Sequence, residues 1–246
     1  MSPVFNLNLY RHRLSTIGID THQSASYVVS ISLVTECKMG ATCRRILSTD
    51  SKKMADKKDK LLTAAIDFGT TYSGYAFSFE YDYKVDPLKI STNPLWVAGS
   101  RGLVSLKAPT CVLLSPKQEF ITFGYEAEDL YVELALDENH YDHYFFKGFK
   151  IFIDEKGQLS KSMLIRDDKG KEAPALDLFA HVIRYLKNHL LSALDAKGAT
   201  IKNKDIHWVL PVPALWTGSA KQFMREAANK YNDGTSFPCI GNNSKL

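Results

Sequence analysis

The sequence predicts an α/β protein, and three observations predict it. Residues 61–66 (LLTAAI) and 75–79 (YAFSF) are apolar or aromatic runs on either side of a Gly-bounded turn, the pattern of a β-hairpin. Residues 177–196 and the preceding Leu176 place Leu176, Phe179, Ile183, Leu186, Leu190 and Leu194 three or four apart, which lines one face of a helix. Residues 206–212 (IHWVLPV) then read as a buried strand.

Between these landmarks the remaining elements follow in order. Residues 94–114 hold further strand material, clearest at 110–114 after Pro109, and 120–123 read as another short strand. Residues 124–136 have helical composition, 137–143 form a polar loop, and 145–153 are dense in Phe, Ile and Lys. Pro174 and Asp177 suit entry into the long helix, and Lys197-Gly198 supplies its stop. After a turn at Pro213 and 217–219, Ser219 is placed to cap a last helix running to about Tyr231.

The expected organisation is a leader over 1–60, one lobe over 61–231 and an unstructured tail over 232–246. The leader is read as disordered or as an upstream extension of the gene model, because Met54 opens a short charged start that runs straight into the first strand. Ser/Thr richness and Arg11 and Arg13 within 1–35 leave an organellar address as the alternative to a cytoplasmic protein.

Charge narrows the function classes. Residues 1–60 carry ten Lys/Arg against five Asp/Glu, whereas 61–246 carry 21 against 22. The body therefore lacks the basic excess that a nucleic-acid partner requires. No apolar run approaches the length of a membrane span. Cys37, Cys43, Cys111 and Cys239 form no C-x-x-C pair and read as reduced thiols. His140, Asp142 and His143 match no zinc spacing and read as loop residues.

The chemistry lies in Asp67-Phe-Gly-Thr-Thr-Tyr-Ser-Gly74. A glycine in a turn between strands lets backbone N–H groups approach an anion closely, since no Cβ intervenes. Two adjacent threonines add hydroxyl donors, and a carboxylate just before the turn can hold a hydrated magnesium ion. No Lys-Ser/Thr follows Gly74, so this is not a Walker A loop. A hairpin turn using Asp, Gly and Thr for conformation alone is the competing reading.

This octapeptide resembles the first phosphate loop of the actin–hexokinase–heat-shock ATPase superfamily, most closely that of the heat shock 70 kDa proteins. Ala108-Pro109-Thr110-Cys111-Val112 is similar to that family's Thr-Pro-Ser-Tyr-Val strand, and Phe123-Gly124-Tyr125-Glu126-Ala127 to its Gly-x-x-Ala helix start. Val212-Pro213-Ala214 and the helix from Ser219 continue the likeness in the same order. The run Gly74-Tyr-Ala-Phe-Ser-Phe79 and the block Phe146-Lys-Gly-Phe-Lys150 resemble the divergent member 12 group.

The resemblance implies an incomplete lobe of the actin-like, ribonuclease H-like ATPase fold, an α/β arrangement of a mixed β-sheet with flanking helices. It also implies ATP or ADP as ligand, with Mg²⁺ held through water. By that resemblance Asp67 would hold the ion's water shell. Gly69, Thr70, Thr71 and Tyr72 would wrap the β- and γ-phosphates, and Lys150 or Lys147 would be the catalytic lysine, Lys150 being preferred. Pro213 would correspond to a proline that relays nucleotide state. The family's second phosphate loop, Asp-x-Gly-Gly-Gly-Thr, and its adenosine site are absent from the sequence, so weak ATP binding and negligible hydrolysis are expected of this chain alone. Client or regulatory proteins are the expected macromolecular partners. A sugar- or glycerol-kinase-like phosphotransferase lobe and a non-catalytic interaction protein are the alternatives.

Overall fold

A computed structural model describes residues 60–86, 88–99, 102–152, 162–213 and 216–231 of the chain. Residues 1–59 of the expected leader and all of the expected tail lie outside the described residues, as do Cys37, Cys43, Cys239 and Ile153.

Strand β1 (Leu62–Phe68) pairs antiparallel with β2 (Tyr72–Phe79), in register from Leu62↔Phe79 to Phe68↔Ser73. Side chains alternate across a strand, so Leu62, Ala64, Ile66 and Phe68 enter the main core while Thr63, Ala65 and Asp67 lie on the opposite face. β2 begins three residues earlier than predicted, because the turn closes within residues 69–71 and Tyr72 already belongs to a ladder. A short helix, α1 (Glu80–Val85), follows; none of its residues is buried, so it has no apolar stripe that a sequence could display.

The edge of β2 is shared by β3 (Ser91–Thr92) and β6 (Ala108–Pro109). Between them, β4 (Trp96–Ala98) and β5 (Leu103–Ser105) form a separate hairpin. β7 (Cys111–Leu114) lies between β8 (Phe120–Phe123) and β9 (Tyr144–Lys147) in an antiparallel three-stranded sheet. Alternation again divides the work of β7. Val112 and Leu114 join the main core, while Cys111 and Leu113 pack with Ala127 of α2 (Tyr125–Leu136).

A hairpin of β10 (Leu164–Arg166) and β11 (Glu172–Pro174) leads directly into α3 (Ala175–Asp195). This is the helix predicted from the sequence, begun two residues earlier because Pro174 itself stands at the N-cap. Phe179, Ile183, Leu186, Leu190 and Leu194 are buried, and the Phe179 ring meets Phe68, Phe149 and Phe223. β12 (Ile206–Val209) then runs parallel to β1, with Leu62 opposite Ile206. One parallel pair beside antiparallel ones makes the five-stranded sheet mixed, in the order β12-β1-β2-β3 with β6 also on β2.

Two expected boundaries are corrected. The strand predicted over 206–212 stops at Val209, since Pro211 has no N–H to give a ladder. Helix α4 (Gly218–Lys230) is capped by Thr217, whose Oγ1 accepts from the Ala220 N–H at 3.2 Å, rather than by Ser219. α4 packs on α3, placing Phe223, Met224 and Ala227 in the core. The expected fold class, α/β with a mixed sheet and flanking helices, stands.

Candidate functional site

The turn at the C-terminal end of β1 is held by a ring of hydrogen bonds. The Gly69 N–H donates to Ser73 Oγ (3.2 Å), Ser73 and Thr110 join hydroxyl to hydroxyl (2.7 Å), and Thr110 Oγ1 donates to the Gly69 carbonyl (2.9 Å). The Thr110 N–H takes the Thr71 carbonyl at 2.8 Å. The Gly69 and Thr71 carbonyls are thus directed inward to protein groups. The N–H groups of Thr70 and Thr71 find no acceptor among the described residues. Unpaired donors on a turn that runs from half-buried Gly69 and Thr70 to exposed Thr71 suit an anion. Gly69 is sterically obligatory, because a Cβ there would stand 2.1 Å from the Tyr72 carbonyl oxygen.

Asp67 precedes the turn on the face away from α3. Its Oδ2 accepts from Lys107 Nζ at 2.6 Å. The lysine side chain is 4% exposed and the aspartate 22%. Lys107 was not among the sequence-predicted site residues. The signal available was a lone cation set between the apolar run around Leu103–Ser105 and Ala108-Pro109. Ser73 and Thr110, which brace the turn, lie within the motifs that carry the resemblance, but as plain hydroxyls they give no signal of that role in the sequence.

The two lysine candidates part company. Lys150 Nζ donates to the Phe68 carbonyl at the end of β1 and stands over the Phe68 and Trp216 rings, 5.6 and 5.4 Å from their centroids. The segment carrying it is tied to the same corner, since the Gly148 N–H donates to the Thr110 carbonyl (3.2 Å). Lys147 instead reaches Glu128 of α2 at 2.8 Å, and that hydrogen bond raises its pKa above the ordinary lysine value. Tyr72 is 37% exposed at the start of β2. The structure therefore gathers Asp67, Gly69, Thr70, Thr71 and Lys150 around one corner and turns the Lys147 ammonium toward α2.

For a magnesium ion, the residues at hand offer one carboxylate that is already paired. Among the described residues no group of three or more His, Cys, Asp or Glu is placed to hold a metal. An ion held through its water shell, which needs few protein ligands, is the form that fits such a donor set.

The chain is 43% identical over 168 residues to heat shock 70 kDa protein 12B of Homo sapiens, covering 68% of this chain and 24% of that protein. It is 38% identical over 190 residues to heat shock 70 kDa protein 12A of Mus musculus, covering 77% and 27%. Over this matched part, the chain belongs to the heat shock 70 kDa protein 12 family. It spans about a quarter of the length of these relatives. No family model matches the chain. Among solved structures it is similar to MreB5 of Spiroplasma citri bound to ADP, at TM-score 0.33 and 15% identity over 69% of this chain and 35% of that one, a partial likeness from which nothing follows for the site. The family membership agrees with the resemblance carried by the Asp67–Gly74 motif. No helix among the described residues is long and apolar enough to cross a membrane.

Proposed function

We propose that residues 61–231 form the first lobe of an ATP-binding, heat shock 70 kDa protein 12-like protein, and that the turn at 69–72 takes the β- and γ-phosphates of ATP or ADP. The observation that carries this reading is the pair of N–H groups at Thr70 and Thr71 without an acceptor among the described residues, presented by a turn whose Gly69 and Thr71 carbonyls are tied back. Phosphoryl transfer needs positioned donors and neutralised charge more than covalent participation by the protein. In this reading Gly69, Thr70, Thr71 and Tyr72 position the phosphates. Lys150, whose ammonium stands at the end of β1, brings positive charge to that corner, while Lys147 is the less suited candidate because Glu128 holds it. Magnesium, when bound, would supply charge neutralisation through its water shell near Asp67.

Nucleotides in this superfamily lie between two lobes, so one lobe supplies part of the contacts. Each missing charge-assisted hydrogen bond costs about 1.5–3 kcal/mol. Weak binding and negligible turnover by this chain follow. The setting that fits is a cytoplasmic, chaperone-like role in the stress response, with client or regulatory proteins as partners.

Backbone-amide NMR tests the reading, because it registers even millimolar affinity. Added ATP or ADP with magnesium should shift the amides of Gly69, Thr70, Thr71 and Tyr72 first. Shifts scattered over the surface, with none at these four, would remove the phosphate assignment and favour the non-catalytic interaction protein.

A further inference from the structure

We infer that Lys107 is a built-in counter-ion for Asp67, one that lets the phosphate turn accept a polyphosphate with little dependence on a divalent cation. The inference rests on the phosphate reading of the turn and adds a residue to it.

An ammonium taken almost wholly out of water is costly unless it is paired at close range. Here the cation is buried at the one carboxylate that adjoins the turn, 2.6 Å away. Its placement is enforced from three sides. Lys107 immediately precedes β6, whose pairing Ser73↔Ala108 fixes it beside the start of β2. Asn93 straps the same segment down, its Nδ2 donating to the Leu106 carbonyl (2.8 Å) while its Oδ1 accepts from the Tyr75 N–H (3.0 Å). Beneath the lysine stem lies Gly74, the cross-strand partner of Asp67. A Cβ on Gly74 would stand 2.9 Å from Asn93 Oδ1 and 3.5 Å from Lys107 Cγ. The glycine gives the strap and the lysine room to cross the strand toward the aspartate.

The electrostatic consequence is direct. An unpaired carboxylate beside the turn repels a polyphosphate, and a divalent cation must bridge the two. Paired with Lys107, Asp67 presents little net charge, so the phosphate meets the Thr70 and Thr71 N–H groups without that repulsion. The same pairing lowers the attraction of Asp67 for a cation. Lys107 is a positioning residue, acting through Asp67.

The experiment follows turn amides by NMR while the full chain is titrated with ATP, once in excess EDTA and once with magnesium. The expected wild-type midpoints lie within about threefold of each other, a difference of less than one kcal/mol. Lys107→Met should weaken binding in EDTA by about tenfold or more and change the magnesium titration far less. Lys107→Arg should keep the wild-type ratio, and Lys107→Met combined with Asp67→Asn should recover binding in EDTA, since no carboxylate is left to repel. Should Lys107→Met fail to fold, the wild-type ratio and the double variant decide. Wild-type binding at least about tenfold weaker in EDTA than in magnesium, or Lys107→Met affecting both titrations equally, overturns the role of Lys107 while leaving the phosphate site standing. No turn shift in either wild-type titration removes the phosphate site itself and this inference with it.

Discussion

Gly69 and His181 show how single residues set the properties of this protein. At Gly69 the space for a side chain is occupied by the Tyr72 carbonyl oxygen, so Gly69→Ala must displace backbone that Ser73 and Thr110 hold in place. A loss of about 1–3 kcal/mol in urea unfolding is expected, with the chemical shifts of residues 69–73 moving most. His181 is buried on α3, stacked between Phe120 of β8 and Tyr231 beyond α4. Desolvation first, then the Arg184 guanidinium and the Lys230 ammonium, lower its pKa from the ordinary 6.5 to about 4, with Asp177 opposing. The unfolded imidazole takes its proton as pH passes below 6.5, whereas the folded one resists until about 4. Stability from this residue is therefore complete above pH 6.5 and declines as pH falls toward 4. The melting temperature of the wild type should drop more steeply across that window than that of His181→Phe, and equal slopes would dismiss the assignment. His189, also shifted down by burial, adds in the same sense.

At the scale of elements, caps and alternation matter more than propensity. The sequence pointed to Ser219 as the cap of the last helix, and the structure places the cap at Thr217 instead, whose hydroxyl also meets Ser219 Oγ at 2.9 Å. Thr217→Ala should cost about 1 kcal/mol in chemical denaturation, while Ser219→Ala should cost only a small part of that. Equal losses would show that the cap is shared. The long helix α3 was fully visible in its spacing because one continuous stripe is buried against β1, β2 and the three-stranded sheet. Helix α1 was invisible for the converse reason, since it buries nothing. The two small hairpins, β4–β5 and β10–β11, consist of three-residue strands, too short for a period of two to register.

For the whole molecule, the decisive fact is that the matched family members are about four times as long as the stretch they share with this chain. On the proposed reading, phosphate release from ATP by this chain should not exceed the background of the same preparation carrying Gly69→Ala. Turnover clearly above that control would show that one lobe is sufficient and would overturn the division of labour between lobes. The main core itself is continuous from β1 through α3 to α4, so the described part is internally packed at the corner where the turn after β1 sits.

The linear order of residues determined the hairpin, the long helix and the Asp67–Gly74 motif, because each depends on neighbours within a few positions along the chain. It also pointed to Lys150 over Lys147. Tertiary structure alone shows where the two side chains lie, the Lys150 ammonium at the Phe68 carbonyl and the Lys147 ammonium at Glu128. Only the folded chain revealed Lys107, 40 positions from Asp67 in sequence and 2.6 Å from it in space. A local pattern records what a segment becomes; a charge pair closed across two strands is recorded only where the sheet is assembled.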